Sequence, residues 1–181
     1  MKSTNALWAL LGVFVFAGVA APGGAQAEAE RIGTIEATID GEPGRWETLF
    51  VPVENSFSAT AMRSDPLTFF SILGFPEDGR RTENQLIVEF TLMGDAATTG
   101  ENPIVSYFPD GMYPHYTSSD VGEAEVSVRR FKPPGDDAEG HVEAEFRASI
   151  CRQESRTEAP DPQTCRNVEG VLSTSLAEQE M

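Results

Sequence analysis

The sequence predicts an all-β protein, an antiparallel β-sandwich of about eight to ten strands that follows an N-terminal signal peptide. Three observations lead to this fold class. Apolar and polar residues alternate with period two in several segments, residues that favour turns separate those segments, and no long segment has the 3.6-residue apolar period of an amphipathic helix. A lipocalin-like closed barrel is the alternative, which would need strands of more uniform length.

The N-terminus predicts export. Lys2 precedes an uncharged apolar run over residues 6–21, which Pro22 ends, and the small-residue sequence Ala25-Gln26-Ala27 follows. A basic start, a short apolar run and an A-x-A site are typical of a secretory signal peptide. The run is shorter than the roughly 20 residues of a spanning helix. We therefore expect a signal peptide over 1–27, a single β-sandwich domain over 28–181, no membrane span after cleavage, and a periplasmic or secreted location.

The strands are predicted from alternation along the chain. Five segments have one apolar and one polar face, which is typical of half-buried antiparallel strands. They are 34–39, 57–61, 86–92, 123–129 and 142–150. Residues 67–75, LTFFSILGF, lack this alternation. Their aromatic and β-branched content favours a strand covered on both faces over a short helix after Asp65-Pro66.

The two cysteines, Cys151 and Cys165, predict a structural disulfide. Exported proteins keep disulfides, whereas a zinc site needs about four ligands and a thioredoxin-like couple has the spacing C-x-x-C. In the chain-entropy model, closing a loop of this size stabilises the fold by about 3 kcal/mol. The bridge is expected to staple a C-terminal hairpin of 142–150 with 166–174.

The disulfide also predicts the register of that hairpin. If the cysteines face each other, Arg147 lies opposite Glu169 on the outer face, as a pair of opposite charge. On the inner face Phe146 lies opposite Gly170, where its ring can cover the bare backbone. The same register places Ala144 opposite Leu172 and Ala148 opposite Val168. A slip of one residue would exchange the inner and outer faces.

The charge of the chain excludes two classes of partner. With 13 basic and 29 acidic residues, the formal net charge is −16. Nucleic acids and anionic membranes are excluded because both bind basic surfaces. The acidic excess is typical of a soluble exported protein and is also compatible with a surface that attracts cations.

The candidate ligand loop lies between Asp110 and Asp120. It contains Tyr113, His115 and Tyr116, whose rigid amphipathic rings suit contact with a sugar or a protein partner. The alternative interpretation is that these rings pack over a sheet edge.

Other chemistry is sparse, which favours a non-catalytic protein over an enzyme. The two histidines, His115 and His141, accompany no G-x-S-x-G elbow, and no nucleotide-binding motif is present. We expect no cofactor. Asp136, Asp137 and Glu139 form a weak calcium candidate, for which a solvated hairpin loop is the alternative interpretation.

Two stretches carry a resemblance, the opening GTIEATIDGEPGRWETL and the closing GHVEAEFRASICR…CRNVEGVLSTSL. They are similar to exported bacterial β-sandwich proteins of uncharacterised role. This resemblance implies an exported β fold and no activity. We therefore expect a non-catalytic exported binding or envelope-associated protein, with a protein or carbohydrate ligand. A small exported hydrolase with a carboxylate site is the alternative.

Overall fold

Eleven β-strands make up the computed structural model, which describes residues 29–78, 82–95, 98–135 and 139–179. The strands are β1 Glu30–Ile39, β2 Glu42–Val51, β3 Ser56–Phe57, β4 Ala59–Ser64, β5 Leu67–Pro76, β6 Gln85–Met93, β7 Glu101–Phe108, β8 His115–Thr117, β9 Glu123–Lys132, β10 Gly140–Gln153 and β11 Asp161–Glu178. The all-β prediction is confirmed. The predicted signal peptide lies outside the described residues.

Hydrogen bonding joins all eleven strands into one sheet, in the order β3-β2-β1-β11-β4-β5-β6-β7-β8-β10-β9. β2 also pairs with β5, and β10 with β11. These pairs are antiparallel except β4 with β11, which run parallel. Within the sheet's interior, Phe70 of β5 contacts Phe131 of β9 edge-on, with ring centroids 5.0 Å apart, although their strands are not paired. One continuous sheet therefore encloses the core.

The core includes the inward-facing residues that the alternation predicts, together with residues of β2, β5 and β7 such as Trp46, Phe70 and Val105. β10 alone contributes Val142, Ala144, Phe146, Ala148 and Ile150, all of them buried. Burial of these apolar side chains supplies the main free energy that favours folding.

β5 differs from the prediction that both of its faces are covered. Phe70 is 2% exposed and stacks on Phe90, but its neighbour Phe69 is 37% exposed on the outer side. The apolar outward residues that hide the alternation are Leu67, Phe69, Leu73 and Phe75, and all of them are at least partly exposed. The strand is therefore half-buried like the others.

The C-terminal hairpin has the predicted register. Cys151 lies opposite Cys165 and Arg147 opposite Glu169, while Phe146 lies opposite Gly170. The inner pairs Ala144 with Leu172 and Ala148 with Val168 are also as predicted. The sulfur atoms are bonded, which confirms the disulfide.

Two details of this hairpin differ from expectation. The Arg147 guanidinium binds Glu125 of β9, through Nε at 2.9 Å and Nη2 at 2.6 Å from Oε2, rather than the facing Glu169. β10 has a neighbour on each side, so Arg147 could turn either way. At Gly170 a Cβ atom would lie 2.5 Å from the Cβ of Ala37, so the neighbouring strand β1 occupies that space.

The outward side of the sheet has two regions of different chemistry. We call the outward side of β1, β2, β9, β10 and β11 the charged face, because Glu and Arg side chains cover it. We call the outward side of β4, β5 and β6 the apolar face, although it also carries Arg63 and a Ser71–Glu89 hydrogen bond. Its apolar residues are Met62, Leu67, Phe69, Leu73, Phe75, Ile87 and Met93. They are neighbours by register, since Met62 and Phe69 are paired, as are Leu67 and Met93.

Candidate functional site

The predicted ligand loop divides into buried and exposed residues. His115, which is only 7% exposed, stacks on Phe108 with ring centroids 4.7 Å apart, and Tyr113 tilts against it at 4.9 Å. Burial lowers the pKa of His115, and a weaker interaction with the Met112 backbone opposes this shift. Among the described residues, its Nδ1 atom has no hydrogen-bond partner. His115 therefore packs as a neutral ring within the fold.

The remaining loop residues lie nearer to solvent. Tyr116 is half-buried in β8, and the Arg166 guanidinium lies 4.3 Å from the centre of its ring. Asp110 and Asp120 are both exposed, and Asp120 has a left-handed backbone with φ of 67°. The negative charge of Asp110 helps to raise the pKa of Tyr107, so Asp110 and Tyr107 share one end of the sheet. Within the loop, His115 is therefore buried while both carboxylates are exposed.

A groove of about 930 Å³ crosses the charged face. It spans five adjacent strands in the order β2, β1, β11, β10 and β9. Its charged lining residues are Glu36, Arg45, Glu125, Glu145, Arg147 and Glu169. A volume of this size lies within the range of about 300–1,000 Å³ that is usual for ligand sites.

The groove continues along the strands in both directions. A cavity of about 590 Å³ extends it past Asp40 and Glu123, and shares Glu125 and Arg147 with it. Another of about 420 Å³ extends it toward Thr34. The groove therefore runs alongside residues 34–40, which belong to β1 and the turn after it. These residues span about 20 Å at 3.3 Å per residue.

Ion pairs hold most of the charged side chains in the groove. Arg147 binds Glu125, Arg129 binds Glu145, and Arg45 lies 3.6 Å from Glu36. These pairs link β9 with β10 and β1 with β2, which form the sides of the groove.

The floor of the groove differs from its sides. β11 supplies Glu169, which has no ion-pair partner among the described residues, and Val171, which is 46% exposed. The floor therefore offers one unpaired carboxylate beside one apolar side chain.

The cysteines and the calcium candidate lie outside the groove. Cys151 is buried and Cys165 exposed, and the bridge joins β10 to β11 beside β8. Asp136 and Asp137 lie outside the described residues, and Glu139 is exposed. Where the structure describes the chain, no three His, Cys, Asp or Glu side chains form a group that could hold a metal ion.

The groove was missed at the level of the sequence, although part of its signal was visible. Arg147 and Glu169 are predicted as outward residues of the hairpin. Val171 breaks the polar outward pattern of β11, and an exposed apolar residue on a charged face is a signal that could have drawn attention. The curvature that forms the groove depends on which strands become neighbours.

Comparison with family models, with curated proteins and with solved structures gives no match. In the described part of the chain, no helix has the length and apolar character that a membrane crossing requires.

Proposed function

We propose that this chain is an exported, non-catalytic binding protein whose charged-face groove holds an extended, positively charged chain such as a basic peptide segment. The observation that carries the proposal is the groove itself, with its unpaired Glu169 beside the exposed Val171. A periplasmic or secreted location follows from the signal-like N-terminus and agrees with the disulfide.

Charge supports a cationic ligand. Four glutamates and two arginines line the main part of the groove, so its lining has a net negative charge. The whole chain carries −16, which would attract a cation over a long range and raise its association rate at low salt.

Shape supports an extended ligand. The groove follows the strands over about 20 Å, which matches roughly six residues of extended chain at 3.3 Å per residue. Its residues belong to paired strands rather than to a mobile loop, so little ordering is needed on binding. Val171 offers an apolar contact at the floor.

The pairing of the carboxylates favours binding over the hydrolase alternative. Glycosidase chemistry requires two carboxylates with separate roles, a proton donor and a nucleophile or base. In the main groove Glu36, Glu125 and Glu145 each face an arginine, which leaves Glu169 alone.

A basic peptide tests the proposal. An eight-residue peptide of alternating lysine and serine, carrying a fluorophore, is titrated with the protein, beside a neutral peptide with glutamine in place of lysine. We expect only the basic peptide to bind, with an affinity that falls as salt rises, because salt screens the attraction.

Two variants with equal charge change locate the binding. Glu169→Gln should weaken binding about fivefold, since one solvent-exposed charge pair contributes up to about 1 kcal/mol. Glu54→Gln, in the exposed turn after β2, should leave the affinity nearly unchanged. Equal weakening by both variants would mean that only the overall charge matters, and binding of the neutral peptide would also contradict the proposal.

A further inference from the structure

Another, smaller cavity lies at the end of the sheet where the β1–β2 turn meets β7 and β11. It measures about 360 Å³, and its polar lining comes from Asp40, Glu42, Asn84, Tyr107 and Arg166, with Trp46 beside them. This end pocket contains none of the charged residues that line the main groove. Its chemistry is also different, because aromatic rings contribute to its walls.

Arg166 is held in place with most of its donors unused. Its guanidinium lies over the Tyr116 ring at 4.3 Å, and its Nε atom is 3.9 Å from Oδ2 of Asp40. Within the described residues it makes no hydrogen bond. A guanidinium has five N–H donors in a fixed plane, so stacking on Tyr116 orients several of them for a ligand.

Tyr107 adds another donor to the same pocket. Burial raises the pKa of Tyr107, with nearby Asp110 and Glu42 acting in the same direction against the opposing Arg166, so its phenol stays protonated. Its hydroxyl has no hydrogen-bond partner in the described part of the chain. The Trp46 ring meets the Tyr107 ring edge-on at 6.4 Å, and Trp46 is fixed by a 2.7 Å bond from its Nε1 to the Asn84 carbonyl.

Acceptors complete the lining. Oδ1 of Asp40 accepts a hydrogen bond from the Asn167 backbone at 2.9 Å, which fixes that carboxylate at the pocket. Glu42 is the second carboxylate. One guanidinium and two carboxylates give a local charge that disfavours anions.

A sugar hydroxyl matches this mixture of donors and acceptors. Each hydroxyl can accept from a guanidinium or phenol and donate to a carboxylate at the same time. Pairs of neighbouring hydroxyls therefore fit a site where Arg166 and Asp40 lie side by side. The pocket volume is at the small end of the range of about 300–1,000 Å³ for ligand sites, which suits one ring rather than a long chain.

We propose that the end pocket binds one neutral hexose residue, with its hydroxyls bridging Arg166 and Asp40 and receiving a hydrogen bond from Tyr107. The end pocket shares Asp40 with the extension of the charged-face groove, but its other charged residues are its own. The sugar proposal does not rest on the peptide proposal.

Nuclear magnetic resonance tests the proposal with defined probes. The methyl glycosides of glucose, galactose, mannose and N-acetylglucosamine are added separately, and the Trp46 indole N–H signal is followed. Acetate and glycine serve as the anionic and zwitterionic probes. We expect at least one neutral sugar to shift this signal in a saturable way, while acetate and glycine do not. A response to acetate or glycine alone, or to no probe, would overturn the proposal.

Conservative variants locate the contact. Arg166→Lys keeps the charge but loses the planar donors, and we expect an affinity for the responding sugar about tenfold lower. Tyr107→Phe removes only the hydroxyl and should lower the affinity about fivefold. Arg63→Lys, on β4 outside both the groove and the pocket, is the matched control and should change nothing. Equal weakening by Arg63→Lys and Arg166→Lys would also overturn the assignment.

Discussion

The charged face and the apolar face are outward sides of the same sheet, yet charged side chains predominate on one and apolar side chains on the other. On the charged face, Arg–Glu pairs connect neighbouring strands, as between Arg147 and Glu125. On the apolar face, Phe69 and Met93 remain 37% and 63% exposed. The inward sides of both regions have the same alternating apolar residues.

This difference teaches that the interior does not determine the outer surface. Period-two burial satisfies the core through every second residue and leaves the others unconstrained. The charged face uses that freedom for a groove with polar sides. If the interior alone supplies the stability, substitutions on either outward face should change the free energy of unfolding little.

The largest expected effect separates the two sides of β5. Phe70→Ala should lower the free energy of unfolding by about 3–5 kcal/mol, because it leaves a cavity beside Phe90 and Phe131. Phe69→Ala, one residue earlier, should cost about 1 kcal/mol since its side chain is partly exposed. Urea unfolding measures both. Equal losses would mean that the apolar face contributes to stability as the interior does.

Loss of the disulfide should have the next largest effect on the free energy of unfolding. The disulfide joins β10 and β11, whose outward side belongs to the charged face. Replacing both Cys151 and Cys165 with serine should cost about 3 kcal/mol, because the open chain gains entropy when unfolded. Calorimetry of the variant and the oxidised protein provides the comparison. An unchanged melting temperature would show that the hairpin needs no covalent link.

Lowering the pH should reduce the free energy of unfolding, because His115 must become protonated inside the fold. Because burial lowers the pKa of His115 in the folded state, folding favours the neutral ring. This contribution to stability is complete above the ordinary pKa of about 6.5 and is lost as the pH falls toward the lowered value. His115→Gln should lose less stability than the native protein between pH 7 and pH 5, as measured by urea unfolding. Parallel pH profiles would contradict this account of the buried ring.

The smallest effect is expected on the charged face. Replacing both members of the exposed pair, by Arg147→Gln and Glu125→Gln, should change the free energy of unfolding by at most about 1 kcal/mol, because water screens such pairs. Thermal melts at low and high salt measure it. A much larger loss would mean that the ion pairs of the groove hold the fold together.

The sequence predicted the features that depend on local pattern. Alternation predicts most of β1, β6, β9 and β10 and part of β4, and the disulfide predicts a hairpin register that places Phe146 opposite Gly170. β2 and β7 are not predicted, although they have ten and eight residues. β3 and β8 are not predicted because two or three residues cannot display a period.

Features that depend on contacts between distant parts of the chain could not be predicted from the sequence. The partner of Arg147 could not be predicted, since the position of β9 beside β10 is a property of the whole sheet. The groove is hidden for the same reason, because β1 and β11 come from opposite ends of the chain. Likewise, the stacking of Arg166 on Tyr116 joins residues far apart in the sequence.

The most direct test of the central claim, that the charged-face groove binds a cationic chain, is to map the lysine–serine peptide onto the protein by amide chemical-shift changes. The account predicts saturable shifts centred on Glu169, Val171 and Glu145, with the apolar face around Phe69 and Met93 unaffected. Shifts concentrated on the apolar face would contradict it. So would the absence of shifts at concentrations where the fluorescence anisotropy of the labelled peptide shows saturated binding.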